Sequence, residues 1–360
     1  MMRRALLLCW LICFAASAAA QRSEPNFPPV RPGVALNFPR DHGSHPDYRT
    51  EWWYLTGQVK TASGVPLGVQ VTFFRSRTGI GENNKSRFAP GQLYFAHAAI
   101  ADARHGKLRH DQKVARGVAG LVSASEKDAN IRIDNWSLRR EASSDEWIAH
   151  LPANGFAMQL RFAPTQPLLL QGDAGFSRKG PEDRFSSYYY SLPHLAISGT
   201  VTLGDKTETV SGTAWMDHEW SSEILMPGAV GWDWAGINLD DGGALMVFRI
   251  RDKAGNALWS AATWRDAKGA LRKFAANEIA FTPNQTWRSP ASGATYPVDA
   301  NIRVGDATFR LQPLMSDQEL DSRASTGAIY WEGAVTILRD GQRVGAGYLE
   351  MTGYVERIRF

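Results

Sequence analysis

The chain has 360 residues, 44% hydrophobic and 11% aromatic, with 40 Lys and Arg against 36 Asp and Glu. A formal charge of +4 without a basic block excludes nucleic acid and polybasic membrane surfaces as partners. Both cysteines, Cys9 and Cys13, lie in the first twenty residues, so the remainder can form no disulfide and no cysteine-ligated metal site.

Residues 1–20, "MMRRALLLCWLICFAASAAA", set Arg3 and Arg4 before a short apolar run and an Ala-rich end. The pattern predicts a signal peptide cleaved near Ala20 and Gln21, hence a periplasmic or secreted protein. The run is too short for a comfortable span, so no stable membrane insertion is expected. Residues 21–48, rich in Pro, Arg and Asn, read as an extended leader over the surface.

Strand signals then dominate. "EWWYLTGQVKTASGVPLGVQVTFFRSR" (51–77) is two alternating runs about a Ser63-Gly64 turn, followed by "LYFAHAAIAD", "IRIDNWSLRRE" and "GFAMQLRFAP". No long stretch has helical periodicity, so the expected class is all-β, a barrel or sandwich. The chain also matches itself. "SGTVTLGDKTETVSGTAWMDHEW" (198–220) aligns with "EGAVTILRDGQRVGAGYLEMTGY" (332–354), placing Trp215 on Tyr348 and Asp217 on Glu350. Gly57 likewise matches Gly236, and Arg75 matches Arg249. Two tandem copies of one β module, 49–221 and 222–360, are expected. The last residues, "GYLEMTGYVERIRF", alternate toward Phe360 as outer-membrane strands do, but Glu356 would then face lipid.

The densest chemistry lies in "TAWMDHEW" (213–220). Alternation puts Trp215, Asp217 and Glu219 on one face, and Met216, His218 and Trp220 on the other. Two carboxylates so placed lie about 6.5–7 Å apart along the strand. On an apolar cavity wall, burial would keep one protonated while the other activates water. Asp217 or Glu219 is thus the expected acid, with His218 tuning the network from behind. The structural alternative is that these groups cap turns or pair with arginines. Glu51, Trp53, His97, His194 and Trp220 are candidates for ligand contact, each with an ordinary core role as the competing reading. The aromatic clusters "SSYYYSLP" and "GWDWAG" add Tyr188 with Tyr190, and Trp232 with Trp234, as walls for an apolar ligand. His42 and His45 have no clear third ligand in sequence, so no metal site is expected. The GxSxG, dinucleotide and phosphate-loop patterns are missing.

"EWWYLTG", "AHAAIAD", "YYYSLPHLAISGTV", "AWMDHEWSS" and "GWDWAGINLDDG" together resemble a secreted lipocalin-like family that includes AttH-type proteins and carotenoid 1,2-hydratases. The resemblance implies two tandem lipocalin-like (calycin) antiparallel β-barrels and an apolar small molecule, isoprenoid or lipid, held in or between them. Its hydratase branch adds water to a carbon–carbon double bond by acid catalysis, without an organic cofactor. Two functions stay open: such a hydratase, or a non-catalytic carrier, for which a membrane-associated transport partner is expected.

Overall fold

The computed structural model describes residues 26–358 apart from 83, 85, 87 and 88. The expected signal peptide and Phe360 lie outside the described residues. Strands account for nearly all regular structure, with short 3₁₀ turns at Arg40–His42 and Ala276–Glu278. They form two antiparallel sheets in tandem, of 13 and 10 strands.

Both sheets are built alike. In the first, the opening strand Thr50–Thr61 pairs on one side with Pro66–Arg77 and on the other with the closing strand Lys206–Glu223. In the second, Gly231–Leu239 lies between Ala244–Arg251 and the closing strand Gln342–Met351. The two stretches matched within the sequence therefore occupy the same topological position. Arg75 and Arg249 also agree, since each meets a carboxylate directly across the neighbouring strand, Glu51 and Asp233 respectively. The end strands of the first sheet, Arg109–Arg116 and Val122–Ala124, follow each other in the chain, and the sheet curls until it nearly closes into a barrel.

Alternation along these strands separates three large apolar cores, beside a small fourth cluster around Leu108 and Leu320. Met216 and Trp220 point into the first barrel with Trp53, Phe73, Trp136 and Trp147. Ile237, Val247, Phe309 and Leu349 fill the second sheet's interior. Tyr54, Tyr189, Trp215, Trp234 and Phe248 belong to a third cluster in the seam where the outer faces of the two sheets meet. Polar contacts fix this seam: Gln58 Nε2 donates to the Val335 carbonyl at 2.6 Å, and Asn238 Nδ2 to the Ala214 carbonyl at 3.0 Å.

Two expectations change. The leader does not simply run over the surface, because Val30, His42, Ser44 and His45 are buried. Phe38 lies 5.0 Å from the Tyr190 ring and His42 lies 5.5 Å from Trp147, so this segment fills an end of the first barrel. At the other terminus the last strand stops at Met351 and bends follow at 353–356, so the alternation toward Phe360 does not become a strand over 352–358.

Gly236 makes the seam close. A Cβ there would sit 2.9 Å from the Trp215 ring and 2.6 Å from that of Trp234. Gly236→Val should therefore destabilise the protein by about 1–3 kcal/mol through overpacking, read as a lower urea midpoint.

Candidate functional site

The seam is not filled throughout. A hollow of about 260 Å³ opens between the sheets, with Trp52, Phe74, Phe95, Trp232, Trp234 and Phe248 on its walls. Asp217 and Glu219 enter it from the first sheet's closing strand, on the face that alternation assigned to them. Glu350, the residue matched to Asp217, enters from the second sheet's closing strand, and Glu332 stands directly across from it. The two matched closing strands thus deliver their corresponding acids to one cavity.

Each acid is held differently. Asp217 accepts three hydrogen bonds, from Tyr189 Oη at 2.6 Å, Ser191 Oγ at 2.5 Å and Trp215 Nε1 at 2.7 Å. Tyr189 in turn accepts from Trp234 Nε1 at 3.0 Å. Burial nevertheless outweighs these donors and pushes the Asp217 carboxyl up to about 7. Glu219 accepts from Ser187 and pairs with Lys179 Nζ at 2.8 Å. That ammonium also lies over the rings of Phe248 and Tyr189, at 4.3 and 4.7 Å. Glu332 accepts from Tyr54 Oη at 2.6 Å and Gln70 Nε2 at 3.1 Å. Glu350 accepts from Trp232 Nε1 at 3.1 Å. Burial first, and then the neighbouring carboxylates, drive both Glu332 and Glu350 upward, Glu350 to about 8.

His97 also lines the hollow. Its Nδ1 is 2.6 Å from Tyr330 Oη and its Nε2 2.9 Å from Ser325 Oγ, both on the second sheet's side of the seam. Burial lowers this imidazole to about 3, so it is neutral at physiological pH.

The remaining predicted residues fall elsewhere. His218 points away from Asp217, into the first barrel, with its Nε2 3.0 Å from Glu51 Oε1. His45 Nδ1 lies 2.7 Å from the same oxygen, and Arg75 Nε donates to Glu51 Oε2 at 2.9 Å. Burial would raise Glu51, but Arg75 and His45 hold it well below the usual carboxylate range. Glu51 raises His45 against burial, whereas burial prevails at His218 and lowers it. Trp53 stacks on His218 and Trp220 on His45, with centroids 4.7 and 3.7 Å apart. Tyr190 Oη is 2.7 Å from His42 Nδ1, while Tyr188 Oη accepts from the Arg31 amide at 3.1 Å. Glu51, Trp53, Tyr188, Tyr190, His218 and Trp220 therefore build the first barrel's interior and do not line the hollow. His194 sits at an irregularity in its strand with φ 53°, its Nε2 2.8 Å from the Gly243 carbonyl, also outside the hollow.

His45 finds its partners in Glu51 and His218, whose potential ligand atoms lie within 4.8 Å of one another. Direct hydrogen bonds already join the three, and Arg75 occupies the other Glu51 oxygen. A cation there would displace those bonds beside a guanidinium, so the donor set fits a structural network better than a metal.

Sequence reasoning placed Asp217, Glu219, His97, Trp232 and Trp234 among the site residues, and the structure brings these five to one cavity. It left out Lys179 and Glu332, which carry no local motif. Glu350 was legible only as the internal match of Asp217.

The family model described as AttH-like matches residues 29–354, and the chain belongs to that family. It is similar to the crystal structure of a Nitrosomonas europaea protein assigned to AttH, with 48% identity and a TM-score of 0.86 over 91% of this chain and 100% of that one. It also shares its fold with kievitone hydratase from Nectria haematococca, at 14% identity and a TM-score of 0.69, covering 91% and 96% of the two chains. CghA is a more distant fold relative, at 13% identity and a TM-score of 0.52 over 85% and 89%. A search of curated proteins gave no match. The fold is therefore lipocalin-like, as the resemblance implied.

Glu350 supplies a stability test. Its folded value, about 8, lies above the ordinary 4.5. The native state accordingly becomes less stable as pH rises through that interval, and is unaffected below it. Glu350→Gln should gain stability relative to the parent between those two values and show no gain in acid, as measured by urea unfolding across pH.

Proposed function

We propose that this AttH-like protein is exported, takes an apolar isoprenoid or lipid-like molecule into the hollow between its sheets, and hydrates a carbon–carbon double bond there. The observation that carries this reading is the convergence of four carboxyl side chains on one aromatic-walled hollow, where burial pushes Asp217 up to about 7 and Glu350 to about 8. Protonating an isolated alkene needs a desolvated acid, and the resulting cation needs nearby negative charge until water captures it. Glu332 and Glu350, raised by burial and by neighbouring carboxylates, suit the acid role, and Asp217 and the Lys179-paired Glu219 line the same cavity. The Trp52, Trp232 and Trp234 rings suit the apolar body and stabilise a passing cation through their faces. A hydratase of the same fold supports the reaction class. The Arg3–Ala20 segment supports export.

The apolar walls alone would serve a carrier equally well, so turnover decides. Farnesol incubated with the protein in ¹⁸O-water should gain one labelled water, seen by mass spectrometry. Asp217→Asn should lower that turnover by about 10²–10⁴-fold while ligand retention in native mass spectrometry is unchanged. Retention of farnesol and other prenyl lipids without any mass change would leave the carrier.

A further inference from the structure

We infer that the two acids supplied by the duplication have diverged in role: Glu350 is the proton donor, and Asp217 is the carboxylate that receives the proton of the attacking water. This inference rests on the hydratase reading and extends it to named groups.

Hydrogen-bond saturation separates them. Three donors converge on Asp217, two of them on Oδ1 and one on Oδ2. Tyr189 accepts from Trp234, so its own proton is directed at Asp217. Such a shell favours the anion, so Asp217 is placed to accept a proton rather than to start the reaction by donating one. Glu350 accepts one hydrogen bond, from an indole on Oε1. It is also the least enclosed of the four acids. Asp217, Glu219 and Glu332 are buried, whereas Glu350 is half-buried and lines the hollow. An acid that must touch its substrate needs that opening.

The surrounding charges act in the same direction. Glu332 stands across the strand pair, and Asp217, Glu219 and Asp233 all press on Glu350. The neighbouring cations are engaged elsewhere, Lys179 by Glu219, and Arg249 and Arg251 by Asp233. Among the described residues no cationic side chain pairs with Glu350, which favours its neutral form.

The step balances without a co-reactant beyond water. The alkene π pair forms a carbon–hydrogen bond with the Glu350 proton, leaving a carboxylate and a carbocation. Water oxygen closes the carbon–oxygen bond, and its released proton goes to Asp217. Proton return from Asp217 to Glu350 restores the starting state.

The order of ionisation can be tested without any ligand. In protein labelled with ¹³C at Asp and Glu carboxyls, Glu350 and Asp217 are assigned by the resonances missing from Glu350→Gln and Asp217→Asn. Glu350 should titrate above Asp217 in the parent. An inverted order, or Glu350 in the ordinary carboxylate range, overturns the assignment even if hydration occurs. With farnesol in ¹⁸O-water, Glu350→Gln should lose about 10²–10⁴-fold in kcat with KM retained, and Glu350→Asp should recover part of it. Full turnover by Glu350→Gln also overturns the donor role. An upheld titration order in a parent that adds no water to any prenyl alkene instead sinks the hydratase reading. Should Glu350→Gln fail to fold, Glu350→Asp still assigns the resonance by its displacement.

Discussion

From Ala214 to Ser221 the strand that closes the first sheet has no face turned to solvent, and much of the molecule follows from that constraint. One side must satisfy a barrel interior and the other a second sheet. An amphipathic strand would leave its polar residues in water, but here every one of them needs a partner inside the protein. His218 finds Glu51, Asp217 finds a tyrosine, a serine and a tryptophan, and Glu219 finds a lysine from a distant loop region. The hollow lies where those acids face Trp232, Trp234 and Phe248 of the opposing sheet.

Two groups of buried carboxylates within one chain show how surroundings decide protonation. Glu51 meets a guanidinium and an imidazole, and remains an anion although fully enclosed. In the seam Asp217, Glu332 and Glu350 meet carboxylates, aromatic rings and neutral donors, and burial raises all three. Residue type is common to both; the available counter-charge differs. The first arrangement suits scaffolding, and the second gives a reservoir of acid beside an apolar space.

Much of this was legible in the sequence, and the remainder has a physical reason for being hidden. Period-two alternation assigned Trp215, Asp217 and Glu219 to one side, and the internal match linked Asp217 to Glu350. Alternation cannot say which side becomes a hollow, because both sides of a doubly buried strand read alike. Hence Trp53, Tyr190 and Trp220 looked as suitable for ligand contact as Trp232 and Trp234 did. Partners far apart in the chain were also out of reach, as with His97 and Tyr330, or Tyr54 and Glu332. His42 looked like a loop residue because its polar partner, Tyr190, arrives more than a hundred positions later.

That last separation bears on the order in which the molecule assembles. The segment around Val30 to His45 forms an end of the first barrel, yet it is secured by Tyr188, Tyr190, His218 and Ser222. During synthesis the chain's early portion therefore waits, unsealed, for strands made much later, and loop closure over such distances slows folding.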